Sequence, residues 1–387
     1  VFDKLSDEAE FSGIDDGNSY KAINLVTKIK TAAFGKLTAM YAMEPENADG
    51  TKHYGRVNAN LTLMGLKAKT TFFVGGNNMN GNSESKTGNA GVNYINSWGK
   101  NDKIKLDGTY SFRANDGRSW SHTDRDYFLT EDMLKQDPND VYERYMSDSR
   151  SQSRSYNHNF NARFEDRINE KNRLMLRANL SFNNGKSNSG SSNYYFPLSG
   201  IDSIPLTNWS QGDNDGIDVG IGGNYMLRIG EKAGRTMFIN FGANYSDSGS
   251  GSENSSQKLI RSDSIQVIQQ LSHNDSYNYS LNGGVTYAEP ISEQAQVTLE
   301  YRINYRKTDA DRLTNLYDFE ADKYNDFISP EYSNRHNTDY LTQNVGPGFR
   351  YGKEGTSISA RLNYQNVKMN SDREFPQAWV LPEKTFH

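Results

Sequence analysis

The chain has no cysteine, which removes disulfide frameworks, thiolate metal sites and thiol nucleophiles in one step. It also lacks any run approaching ~18 apolar residues, so it offers no helix able to span a bilayer. Positive charge is not in excess. Its 43 Lys and Arg against 48 Asp and Glu leave a net charge of -5, and with no basic stripe to neutralise phosphates a nucleic-acid partner is not expected. Metal-ligand spacing is missing too. The six histidines, His53, His122, His158, His273, His336 and His387, are scattered, so neither a metal nor a cofactor is expected. The turn from Gly212 to Asp218 lacks the third spaced acid and distal Glu of a calcium loop, and Gly185 to Gly190 fits no phosphate loop or nucleophile elbow. Adjacent Asp15 and Asp16 suit a hydrogen-bonded turn better than acid–base work. These absences together give the expectation that the chain is not an enzyme.

What is present is a period of two. From Gln296 to Arg306, Val297, Leu299, Tyr301, Ile303 and Tyr305 alternate with Thr298, Glu300, Arg302, Asn304 and Arg306, which gives a strand one apolar and one polar face. Leu174, Leu176, Ala178, Leu180 and Phe182 repeat the stripe, as do Ile358, Ala360, Leu362 and Tyr364. The mean hydropathy of -0.85 agrees with a membrane β-barrel, because only every second residue of a spanning strand need be apolar. The 24 Tyr and 18 Phe point the same way, since rings favour strands and gather at membrane interfaces.

About thirteen strands of spanning length are expected, over residues 34–43, 54–64, 67–76, 90–99, 103–113, 155–167, 173–183, 217–229, 236–245, 277–287, 296–306, 341–351 and 356–369. Short turns alternate with long polar connections at 77–89, 114–154, 184–216, 246–276 and 307–340. Tight turns thus fall at one rim and long loops at the other, which are expected to be periplasmic and extracellular respectively. Within the second long loop, Thr130 is placed to cap a short helix reaching Tyr145, limited by Pro138. Single-chain barrels use even strand numbers and cannot expose an open edge to lipid, so further strands are expected beyond this sequence.

The opening residues do not alternate. Val1-Phe-Asp-Lys-Leu-Ser-Asp-Glu-Ala-Glu-Phe-Ser-Gly-Ile-Asp-Asp-Gly-Asn18 is acidic and turn-rich, and is followed by the compact strand Ala22-Ile-Asn-Leu-Val-Thr-Lys28 and then Phe34-Gly-Lys-Leu. This order resembles the end of the plug domain in the TonB-dependent receptor-like outer-membrane β-barrel family of Bacteroidetes. The similarity continues at Gly91-Val-Asn-Tyr-Ile-Asn-Ser-Trp-Gly-Lys100, at Tyr156-Asn-His-Asn-Phe-Asn-Ala-Arg-Phe-Glu165 and at Thr286-Tyr-Ala-Glu-Pro-Ile-Ser292. The resemblance implies that residues 1–28 close a plug and residues 29–387 form part of an antiparallel transmembrane barrel of ~22 strands. It further implies location in the cell outer membrane, contact with its lipid, a TonB-type energising protein acting through the plug, and import of a small solute.

The candidate plug–barrel junction is Asp15, Asp16, Gly17, Asn24 and Thr27, with residues 1–28 expected inside the lumen, held by pairing of their acids with inward cations. The candidate lumen-facing residues are Arg56, Lys105, Arg163, Arg177, Arg228, Glu300, Arg302 and Arg361, which either hydrate the interior and bind a plug or line a solute path. Two other classes stand beside the transporter: a non-transporting outer-membrane surface protein, such as an adhesin or assembly component, and a secreted carbohydrate-binding β-sandwich.

Overall fold

The computed structural model describes residues 2–5, 11, 19–22, 31–47, 50–78, 84–136, 138, 141–199, 203–232, 234–261, 264–292, 294–353 and 356–375. Two short strands, β1 (Phe2–Leu5) and β2 (Ser19–Ala22), pair antiparallel as a sheet of their own. The other sheet has fifteen strands. Its first half comprises β3 (Ala32–Asn47), β4 (Gly50–Met64), β5 (Ala68–Asn77), β6 (Glu84–Trp98), β7 (Ile104–Asp126), β8 (Tyr142–Asn169) and β9 (Asn172–Pro197). Its second half comprises β10 (Ile204–Arg228), β11 (Thr236–Arg261), β12 (Ser264–Pro290), β13 (Ala295–Asp318), β14 (Lys323–Ile328), β15 (Asn334–Lys353), β16 (Thr356–Arg361) and β17 (Tyr364–Phe375).

Neighbours in sequence are neighbours in space, all antiparallel, from β3 to β13 and on to β15 and β16. Every expected strand is present. The one expected over 356–369 is divided into β16 and β17, both paired with β15, and β14 is added as a short hairpin on β13. Among the described residues β3 and the β16–β17 position are the two ends of the sheet. This is the up-and-down antiparallel wall of an outer-membrane β-barrel.

The long polar loops are corrected. Strands β8 to β12 each run 25 to 28 residues, so 184–197, 204–216, 246–261 and 264–276 are strand and not loop. Their sequences are rich in Ser, Asn, Asp and Gly, which weakens the period-two signal. The backbone ladder does not require that signal, because each N–H and C=O finds its partner whatever the side chain. Register therefore continues unbroken from the apolar part of each hairpin to its tip, as from Arg228↔Thr236 to Trp209↔Ser255. The expected helix from Thr130 to Tyr145 shrinks to one 3-10 turn, Met133–Lys135. Thr130 does accept the Met133 N–H, at 3.3 Å, but Tyr142 already begins β8.

At the other rim the connections are tight. The turn between β6 and β7 holds Gly99 at φ 83°, Asn101 at 57° and Asp102 at 52°, left-handed backbone that Gly and Asn tolerate best.

The registers settle which residues share a face. Val297, Leu299, Tyr301 and Ile303 lie on one side and are exposed, Leu299 by 55%. Their cross-strand partners Tyr287, Val285, Phe349 and Val345 lie on the same side. Large exposed apolar side chains continue along that face, among them Phe182, Ile221, Phe241, Leu61 and Ile358. A soluble sheet would not leave such a surface bare, whereas a lipid-facing wall needs one. The exposed apolar band therefore places the wall in the outer membrane.

Candidate functional site

The opposite face is polar from β3 to β16. Paired positions in an antiparallel sheet point the same way, so the ladder carries one face across all strands. Following it, Arg56 stands opposite Asn77, Lys105 opposite Glu165, Arg163 opposite Arg177, and Arg177 opposite Gly222. Arg228 faces Thr236, Glu300 faces Thr286 and Gly346, Arg302 faces Gly284 and Asn344, and Arg361 faces Gly348. All the candidate lumen-facing residues thus share the face turned away from the apolar band.

The structure gathers some of them and leaves others apart. Glu300, buried, receives Arg361 Nη1 at 2.9 Å on one oxygen and Arg302 Nε on the other. A second buried carboxylate, Glu165, accepts Arg173 Nη2 at 2.7 Å and Arg167 Nε at 3.2 Å, with Arg163 Nη2 at 3.6 Å. Arg163 and Arg177 are like charges directly opposite, a repulsive arrangement, and Glu165 offsets it from the next position. Lys105 on β7 is the cross-strand neighbour of Glu165 and, among the described residues, makes no ion pair to it, and Arg56 on β4 stands away from both clusters.

Arg228 reaches the opening segment. Its Nη2 donates to the Phe11 carbonyl oxygen at 2.6 Å, and its guanidinium carbon lies 5.3 Å from the Phe11 ring centroid. The same ring meets Phe238 edge-on at 6.1 Å. A backbone carbonyl and a ring, in place of the expected carboxylates, hold this cation. Phe11 is buried, as are inward residues nearby: Thr236 is 0% and Gln296 1% exposed. Among the described residues Arg228 Nε, Thr236 Oγ1 and Gln296 Oε1 have no hydrogen-bond partner. Asp15, Asp16, Gly17, Asn24 and Thr27 lie outside the described residues.

Sequence reasoning missed an asparagine-lined hollow in the middle of this inward face. Two adjoining recesses of about 280 Å³ each are lined by Arg177, Asn179, Asn224, Asn240, Asn244 and Asn282, together with Met175, Met226 and Phe238, over a floor containing Gly222 and Gly242. The glycines make the room. A Cβ on Gly242 would sit 2.6 Å from Asn282 Oδ1, and one on Gly220 would strike the Asn179 amide. Asn at alternate positions opposite Gly was the available signal, but a search for titratable groups passes over neutral amides. Such a surface offers many donors and acceptors and one charge, which suits a polar solute.

No family model matches the chain, and no curated protein is similar to it in sequence. Solved structures similar in shape include two outer-membrane proteins. One is the RagAB peptide importer in its closed-closed state, at 10% identity and a TM-score of 0.33, covering 86% of this chain and 52% of that one. The other is the outer membrane protease OmpT from Escherichia coli, at 11% identity and a TM-score of 0.25, covering 88% and 99%. The chain spans about half the length of the importer chain it matches. Neither likeness carries an activity to this chain. The expectation that it is not an enzyme is nonetheless corrected, because one of these outer-membrane structures is a protease; membership of this fold class does not exclude catalysis.

Proposed function

We propose that the protein is part of an outer-membrane receptor that takes up a scarce polar solute, energised through a TonB-type partner acting on a plug. The observation that carries this reading is the inward face. Every strand contributes polar residues to it, and next to its asparagine-lined hollow Phe11 of the opening segment is fixed by Arg228 and Phe238. A buried inward band near the short-turn rim is what a plug resting on the wall would produce. On this reading residues 1–28 are the end of that plug, residues 29–387 belong to the wall, and the long outer hairpins form the capture surface. The joint at Phe11 rests on one hydrogen bond from Arg228 and ring contacts among the described residues, weaker than the wall ladder, as a plug that must shift under load requires.

The test is growth and labelled-solute uptake in the source organism. Cells lacking the full-length gene should lose uptake of at least one scarce nutrient, and cells lacking the energising protein should lose the same uptake. Uptake that persists without the energising protein would defeat the proposal.

A further inference from the structure

We propose a second binding site on the outward face of the wall, above the lipid band, for a pyranose oligosaccharide bearing an acidic group. The site is a groove of about 600 Å³ across β7, β8, β9 and β10. One continuous cross-strand row builds it: Trp120 pairs with Arg150, Arg150 with Gly190, and Gly190 with Trp209. The two indoles stand at either end, roughly 14 Å apart by strand spacing, and Gly190 leaves the floor between them open. Tyr194 and Asp148 close the side nearer the hairpin tips.

The chemistry of this row is specific. An indole presents a broad apolar plane with a single polar edge, matching the C–H face of a pyranose ring whose hydroxyls point outward. Trp120 is 70% exposed, so its face is free to stack. Among the described residues nothing else on the outward side above the lipid band pairs two tryptophans across a trough.

Arg150 supplies the charge. Among the described residues neither Arg150 nor Arg118, one row nearer the membrane, makes an ion pair, whereas the nearby acid Asp148 is engaged by His122 Nδ1 at 2.8 Å. Arg154 below them is already balanced by Asp116 at 3.1 Å, and Lys186 has Asp213 as its cross-strand neighbour. A guanidinium fork without a partner, set between two stacking planes, suits a phosphate or carboxylate carried on a sugar.

Position supports the same ligand. The last ring of the apolar band on β8 is Tyr156, and Arg150 lies beyond it by about 15 Å along the membrane normal at the usual strand rise and tilt. That is the layer in which outer-leaflet glycolipids present their sugars, and it is also open to soluble glycans.

The experiment uses the full-length protein in nanodiscs and isothermal titration calorimetry. Three probes are compared: a phosphorylated lipooligosaccharide supplied in the nanodisc bilayer, the phosphorylated oligosaccharide released from it, and neutral maltoheptaose. Saturable binding of a phosphorylated probe is expected, weakened at least about tenfold in Trp120→Ala/Trp209→Ala, the equivalent of losing a stacking contact. Arg150→Gln should remove the preference for phosphorylated over neutral sugar while the variant keeps the heat-modifiable gel migration of a folded barrel. Binding of the lipid-linked probe alone identifies a membrane glycolipid as the source; equal binding of the released sugar identifies a soluble glycan. No saturable binding, binding unchanged in the double tryptophan variant, or maltoheptaose binding as tightly as the phosphorylated sugar would overturn the proposal.

Discussion

Leu299→Arg tests the facing of the whole wall, because every other facing is tied to it through the ladder. Leu299 lies outward on β13 between Tyr287 and Pro347. The outward apolar stretch from Val297 to Tyr305 advances about 21 Å along the membrane normal at a strand rise of ~3.4 Å and a tilt near 40°. Tyr301 marks its middle, which puts Leu299 about 5 Å from the midplane. A lipid-facing Arg costs ~2–4 kcal/mol at the midplane and close to nothing at the interface, so Leu299→Arg should cost about 2–3 kcal/mol. Asn304→Arg, on the inward face opposite Asn282 and Thr342, should stay within about 0.5 kcal/mol. The assay is urea-driven unfolding of the full-length protein refolded into phospholipid vesicles, read by tryptophan fluorescence. Equal costs for the two variants, or a larger cost for Asn304→Arg, would refute the assignment of faces and with it the inward position of every candidate residue.

Three further outcomes are expected. Glu300→Gln removes the charge-assisted bonds from Arg302 and Arg361 to a buried carboxylate, and in the same unfolding assay should cost about 1–3 kcal/mol. Protease added to intact cells should cut at the hairpin tips within 127–141 and 319–333 and spare the turn at 170–171; cleavage at the latter alone would invert the orientation. Asp124, near the tip of the β7–β8 hairpin, is held below the usual carboxylate range by its hydrogen bond from Arg144, whose Nε lies 2.8 Å away. Its folded-state pKa is depressed, so its contribution to tip order is present above the ordinary value of 3.8 and lost as pH falls through the folded value. Hydrogen-exchange protection factors at 124–144, corrected for the intrinsic pH dependence of amide exchange, should fall on acidification in the native protein and stay unchanged across that window in Asp124→Asn.

Strand existence, strand order and facing were determined by sequence alone wherever one face is buried in lipid. Shifting Leu299 by one residue would turn Glu300 and Arg302 into the bilayer, so alternation leaves a single register. For that reason the alternation puts Arg56, Lys105, Arg163, Arg177, Arg228, Glu300, Arg302 and Arg361 on one common face of the sheet. Above the membrane both faces are wet, the penalty for slipping vanishes, and the Ser- and Gly-rich stretches of β9 to β12 read as loop. Only the tertiary ladder shows that they are strand, since the partners of their backbone groups lie on neighbouring strands tens of residues away. The same holds for the sites. Clustering of Arg173, Arg167 and Arg163 on Glu165, the amide-lined hollow over Gly222 and Gly242, the grip of Arg228 on Phe11, and the row from Trp120 to Trp209 all join residues distant in sequence. Their proximity is set by cross-strand register, which no local pattern encodes.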